Sequence, residues 1–222
     1  MKTKKWTRLV VALIAVLRCG ETCYAFADGD VQFWQTVVAG YAINEDWEVA
    51  VREHLKLGHS AGHLYLHNTD LGFVYHGIAD WIDLGLNYKV NFCKVNGHWT
   101  QENRPHVNIT FNGKLGAYEF SDRSRFEFRD KEDQEDLWRY VHRLKVDLPW
   151  EFTKFKFRPY FADQLFLNFE GHAFEKNRIY SGVTFELTEN MESELYYVWE
   201  SRKFDDEWKE LNAFGFTFKI YF

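Results

Sequence analysis

"FGFTFKIYF", residues 214–222, alternates without a break. Phe214, Phe216, Phe218, Ile220 and Phe222 share one face, and Gly215, Thr217, Lys219 and Tyr221 share the other. A period of two puts successive side chains on opposite sides of a β-strand, so this segment predicts a strand with one apolar and one polar face. The same pattern recurs upstream. In residues 81–92, Ile82, Leu84, Leu86, Tyr88, Val90 and Phe92 oppose Asp83, Gly85, Asn87, Lys89 and Asn91. In residues 177–187, Ile179, Val183, Phe185 and Leu187 oppose Arg178, Thr184 and Glu186.

Extended along the chain, the pattern predicts strands over 30–43, 47–57, 63–76, 80–92, 103–114, 117–129, 137–148, 154–169, 175–187, 191–203 and 210–222. Connections 44–46, 113–116 and 188–190 are tight, whereas 93–102, 130–136, 170–174 and 204–209 are longer and polar. Long strands with short turns on one rim and longer loops on the other predict an all-β chain. The expected fold is an antiparallel up-and-down transmembrane β-barrel of ten to twelve strands, its short turns periplasmic and its longer loops outside. Bacterial single-chain barrels carry even numbers, so ten or twelve strands are expected. A soluble barrel of lipocalin type is the competing architecture, but it would turn its charges outward. Here Arg, Lys and Glu recur on the polar face of nearly every strand. Tryptophans crowd the strand ends, at Trp34, Trp47, Trp81, Trp138, Trp150, Trp199 and Trp208, as the interfacial girdles of a barrel require.

The N-terminus has Lys2, Lys4, Lys5 and Arg8, then the apolar run Leu9–Leu17, then Ala25-Phe26-Ala27. This is the layout of a secretory signal peptide cleaved after Ala27, leaving a single barrel domain over 28–222. The apolar run is too short for a spanning helix. Residues 28–222 hold twenty-two Lys and Arg against thirty-two Asp and Glu, a formal charge of −10 that argues against a nucleic-acid partner. Cys19 and Cys23 leave with the signal, so Cys93 has no partner for an intrachain disulfide.

Several stretches carry a family resemblance: "TDLGFVYHGIADWIDLGLNYKV" (69–90), "ENRPHVNITFNGKL" (102–115), "FSDRSRFEFRD" (120–130), "WRYVHRLKVDLP" (138–149), "RPYFADQLFLNF" (158–169) and "KNRIYSGVTFEL" (176–187). In this order they resemble a group of bacterial outer-membrane barrels catalogued as domain of unknown function 2490. The most particular are Asp163–Phe169 and the Asn177-Arg178-x-Tyr180-x-Gly182 run. The resemblance implies a Gram-negative outer-membrane barrel without established activity, and it brings no catalytic residue with it. The terminal Phe218, Ile220 and Phe222 are similar to the signal read by bacterial barrel-assembly machinery. That machinery and outer-membrane lipid are the expected partners, after export through the periplasm.

A barrel of this size lies between one filled by side chains and one with an aqueous channel. Its expected lumen carries a basic stretch, Arg123, Arg125, Arg129, Arg139, Arg143, Lys145, Lys156 and Arg158, and a later acidic one, Glu186, Glu192, Glu194 and Glu200. Two readings stay open. The charges form a structural plug, pairing across the interior, or they line a narrow polar path for small anionic solutes. Glu53, Asp122, His142 and Asp163 fall on the lipid-facing phase, which points to phase-switching bulges, with Pro159 favouring one near Asp163, the alternative being an oligomer interface or a surface active site.

The alternative function is a membrane-embedded hydrolase or acyltransferase acting on lipid. Gly58-His59-Ser60-Ala61-Gly62 matches G-x-S-x-G, with histidines at His54, His63 and His67. A nucleophile elbow needs a strand, a sharp turn and a helix. Residues 63–71 alternate as a strand instead, so the motif is expected to be a hairpin turn with Gly58 and Gly62 as its permissive residues. No catalytic, metal or cofactor set is expected. His63 and His67 share a strand face without a spaced carboxylate or cysteine to complete a metal site.

Overall fold

Each alternating segment becomes a strand in the computed structural model, which describes residues 28–222 apart from 96, 133, 170–173 and 205–206. The expected signal segment, 1–27, lies outside the described residues. In chain order the strands are β1 (Asp30–Ala42), β2 (Trp47–Gly58), β3 (His63–Ala79), β4 (Ile82–Val95), β5 (His98–Leu115), β6 (Tyr118–Lys131), β7 (Leu137–Asp147), β8 (Arg158–Asn168), β9 (Phe174–Thr188), β10 (Met191–Phe204) and β11 (Glu207–Tyr221).

Consecutive strands pair antiparallel, and the sheet closes into a barrel when β1 meets β11. That seam is parallel, running from Asp30↔Leu211 to Gly40↔Tyr221. The even strand count expected from bacterial barrels does not hold. With eleven strands the first and last point the same way, so only a parallel ladder of slanted bonds can join them. One rim therefore holds the start of β1 and the other holds Phe222. The expected tight turns share the rim of Phe222, but so does the longest connection, 148–157, while on the other rim only two residues separate β4 from β5 and β10 from β11. Part of the expected 93–102 loop is strand: Cys93↔Thr100, Lys94↔Trp99 and Val95↔His98 continue the β4–β5 ladder. The expected start of β8 moves to Arg158 because Thr153 and Lys156 have positive φ (67° and 50°) and the Phe152–Phe157 bridge closes a local turn.

The two faces of the wall differ in character. Outward-facing Leu86, Val107 and Phe214 are 64%, 44% and 55% exposed, while Lys56, Asp70, Glu127, Arg139 and Glu200 are buried within the barrel. The apolar face thus points out, the reverse of a soluble domain. Exposed rings stand near both rims: Tyr41, Trp47, Trp81 and Trp150 on one, Trp99, Trp138 and Trp208 on the other. Trp34, expected among them, instead faces the interior and is buried, its Nε1 donating to Gln32 Oε1 at 2.9 Å.

Register shifts occur at Lys56/Leu57, Tyr75/Ala79, Phe166/Leu167 and Met191/Glu192. None switches the phase at Glu53, Asp122, His142 or Asp163, so the expected bulges there are corrected. These side chains do face out, and each finds a neighbour. His142 Nε2 meets Asp122 Oδ1 at 2.7 Å, Thr69 Oγ1 donates to Glu53 Oε2 at 2.5 Å, and Asn177 Nδ2 donates to Asp163 Oδ1 at 2.6 Å. Pro159 is the second residue of β8, pairing in register with Val183, where its missing donor does no harm. Gly215 makes room for an interior ring: a Cβ there would lie 2.1 Å from Tyr196 Cζ.

Candidate functional site

The polar faces of β1–β11 enclose a cavity of about 590 Å³. Alternation places its lining two residues apart on each strand, as with Arg52, His54 and Lys56 on β2 or Arg123, Arg125, Glu127 and Arg129 on β6. Among the described residues that line it, thirteen are Arg or Lys and five are Glu.

One wall is a continuous polar network. Glu102 accepts from Arg104 Nη2 at 2.7 Å and also pairs with Arg129. Arg129 Nη1 stands 3.9 Å from Glu175, which accepts from Arg139 Nη1 at 3.1 Å. Arg139 Nη2 and Nε donate to Glu127 Oε2 at 2.6 and 2.9 Å, and Arg125 Nη1 donates to Glu127 Oε1 at 3.2 Å. From Arg125 the chain of bonds runs through Asn108 and Asn87 to Asp70, at 2.7, 2.7 and 2.9 Å, and Asp70 holds Lys89 at 3.1 Å. Five strands, β3 to β7, are stitched this way, with β9 joined through Glu175.

A second cluster ties β9 to β10: Glu200 pairs with Arg178 and takes Arg202 Nη2 at 3.1 Å. A third has Lys219 Nζ donating to both Glu192 and Glu194 at 2.6 Å. On the remaining wall Lys56 Nζ sits 3.2 Å from the centre of the Trp34 ring, where the ring's quadrupole attracts the ammonium.

Of the expected basic residues, Arg123, Arg125, Arg129, Arg139 and Arg143 line the cavity. Lys145 stacks over the Tyr160 ring at 4.5 Å and holds Asp147 at 2.8 Å, nearer the rim of Phe222. Lys156 and Arg158 stand at that rim, paired with Glu186 and with Glu119 and Glu151. Of the acidic set, Glu194 and Glu200 line the cavity, Glu192 stands beside it on Lys219, and Glu186 is at the rim. Of the pairing of the basic stretch against the acidic one, Lys156–Glu186 at the rim is found, but the arginines deeper in the lumen pair elsewhere. Arg125, Arg129 and Arg139 take Glu102 and Glu127 from the same or neighbouring strands, where register brings carboxylates close, and Glu175 reaches Arg129 and Arg139 from β9. Phe218 and Ile220 stand on the outward phase of β11, and Phe222, one residue beyond its end, is exposed.

Sequence reading missed Arg52, Lys56, Glu102, Arg104, Glu127, Lys176 and Arg202. The signal was there, since all continue the polar phase of their strands, but it was followed only where arginines were dense.

The G-x-S-x-G segment is a hairpin turn, as expected, but its glycines are not the strained residues. His59, Ser60 and Ala61 have φ of 52°, 55° and 62°. The Asp30 carboxylate fastens them, accepting from the backbone N–H of His59 at 3.0 Å and of Ser60 at 3.1 Å. Among the described residues no three His, Cys, Asp or Glu side chains gather as a metal site would need.

A closed, apolar-skinned barrel with a charged interior is the class that this geometry defines. The chain belongs to the family described as "Protein of unknown function (DUF2490)", whose model matches residues 31–210, from β1 into β11. No curated protein and no solved structure matches it.

Proposed function

We propose that the protein is an outer-membrane β-barrel and that its interior is a narrow polar passage for small solutes. The observation that carries this reading is the inside-out wall: exposed apolar side chains face out, and a charged cavity of about 590 Å³ lies within. In lipid such a wall is favourable because closure leaves the sheet no open edge and the apolar face meets acyl chains. The aromatic rings at both rims suit the two interfaces. The excess of Arg and Lys in the cavity favours anions over cations.

The test is conductance of the refolded protein in planar bilayers under a salt gradient. Discrete events with an anion-selective reversal potential are expected, and Arg125→Ala should change their amplitude. A silent bilayer, with the barrel inserted and folded, would leave the interior as a structural charge network.

A further inference from the structure

We propose that the cavity holds a tetrahedral oxyanion, inorganic phosphate or a phosphate ester, between Arg52 on one wall and Arg123 and Arg143 on the other.

The first support is charge. The lining has thirteen cationic side chains against five carboxylates, an excess of eight, and Asp70 behind Lys89 with Glu192 on Lys219 reduces it only to six. Residues 28–222 as a whole are net negative. A net-negative chain thus concentrates uncompensated cations in an enclosed space, which is unfavourable unless a counter-charge accompanies them.

The second support is where the excess falls. Arg123 and Arg143 are direct register partners across β6 and β7, a placement in which like charges destabilise a sheet. Their neighbours Arg125 and Arg139 are engaged by Glu127. Neither Arg123 nor Arg143 forms an ion pair with a carboxylate among the described residues, and the Nε of each is buried with no hydrogen-bond partner. The Arg143 guanidinium carbon lies 4.9 Å from the Tyr180 ring, and Glu194 feels its charge without forming an ion pair with it.

The third support is convergence. β2 stands five strands from β7 in an eleven-strand ring, on the opposite wall. Arg52 on β2 nonetheless lines the same cavity as Arg123 and Arg143; it feels the charge of Asp70 first and then those of Arg125 and Arg143, and Arg123 feels that of Arg52. Its register partner Asp70 is occupied by Lys89 and Asn87. Guanidiniums approaching from two sides suit a tetrahedral anion, which offers oxygens in both directions and up to two charges. A planar carboxylate offers one edge. The volume admits a small metabolite around the oxyanion.

The inference names the solute class of the passage and rests on that reading only for the solute's way in. Binding is therefore measured apart from conduction, by calorimetric titration of inorganic phosphate into the refolded barrel in micelles at fixed ionic strength. Saturable binding is expected, with chloride a poor competitor. Arg123→Gln, Arg143→Gln and Arg52→Gln should each raise Kd about tenfold or more, the loss of one charged hydrogen bond, while Arg158→Gln at the rim leaves it unchanged. Thermal unfolding separates binding from misfolding. In phosphate-free buffer Arg123→Gln should raise the midpoint by relieving repulsion, and phosphate should raise the midpoint of the native chain but not of this variant. The proposal is overturned if phosphate does not saturate, if chloride reproduces its effect, or if Arg123→Gln lowers the midpoint and binds phosphate normally. Phosphate binding without conduction keeps the site and removes the passage; conduction without phosphate binding does the reverse.

Discussion

Removing Glu127 should show how strongly the interior network holds the wall. Its carboxylate is 2% exposed and is the meeting point of Arg139, at 2.6 and 2.9 Å, and Arg125, at 3.2 Å. Glu127→Ala leaves two guanidiniums short of their shared acceptor. Arg139 retains Glu175 at 3.1 Å, and Arg125 retains only Asn108 at 2.7 Å. Breaking a buried pair by deleting one partner typically costs about 3–5 kcal/mol. Retained partners and water in the lumen put the expectation near the lower limit, about 3 kcal/mol. Deleting both partners should be less than additive. In Glu127→Ala with Arg139→Ala, a coupling of about 0.5–3 kcal/mol should appear. Urea unfolding in lipid vesicles, followed by tryptophan fluorescence, measures all four corners of the cycle. If Glu127→Ala stays within about 0.5 kcal/mol of the native chain, as a change at an unremarkable surface site would, the network is solvated and does not brace the wall.

Three further outcomes are expected. Gly215→Val should push the Tyr196 ring from its place and destabilise by about 1–3 kcal/mol, the usual cost of overpacking. Loss of the heat-modifiable gel shift reads this out, and Tyr196→Ala in the same chain should restore it. On the outer face, His142→Leu strands the Asp122 carboxylate and should destabilise the barrel in vesicles. Asp122→Leu with His142→Leu should be neutral or stabilising, and a double variant as weak as the single would argue that this face meets water. At the rim, the hydrogen bond from Lys156 to Glu186 at 2.6 Å holds the ammonium's pKa above its ordinary value. A raised lysine contributes its stability at neutral pH and loses it as pH climbs through the folded pKa. Glu186→Gln should bring the Lys156 titration back down in NMR, and an unmoved titration would rule the pairing out.

Alternation was legible because the two faces of this wall meet such different surroundings. β4, β9 and β11 could be drawn to within a few residues from Ile82, Ile179 and Phe214 onward. Legibility failed where a strand outruns its apolar segment. Lys94 and His98 offer no face, yet backbone pairing carries the β4–β5 hairpin through them. The strand parity was hidden as well, since no local pattern tells β1 whether its last neighbour runs with it or against it. Charges on the interior face could be assigned, but their partners could not. Glu102 and Glu127 lie outside the acidic run at 186–200, and only the register brings them to Arg129 and Arg139. The outward polar residues were read as bulges because a lone Asp122 looks untenable in an apolar phase. Its partner His142, twenty positions on, is visible only once β6 and β7 are aligned.

The parallel seam also limits how the chain can be rewired. In an even-stranded barrel the two ends of the wall meet at one rim, so a turn of a few residues can join them and a new opening can be cut elsewhere. Here the eleven paired positions from Asp30↔Leu211 to Gly40↔Tyr221 run side by side in one direction. A linker from the end of β11 to the start of β1 must travel back along the whole ladder, roughly 33 Å at about 3.3 Å per residue. It must do so outside the wall or through the lumen. Circular permutants with short joints should therefore fail to close, and one with a joint threaded inside would occupy the space where the arginines converge.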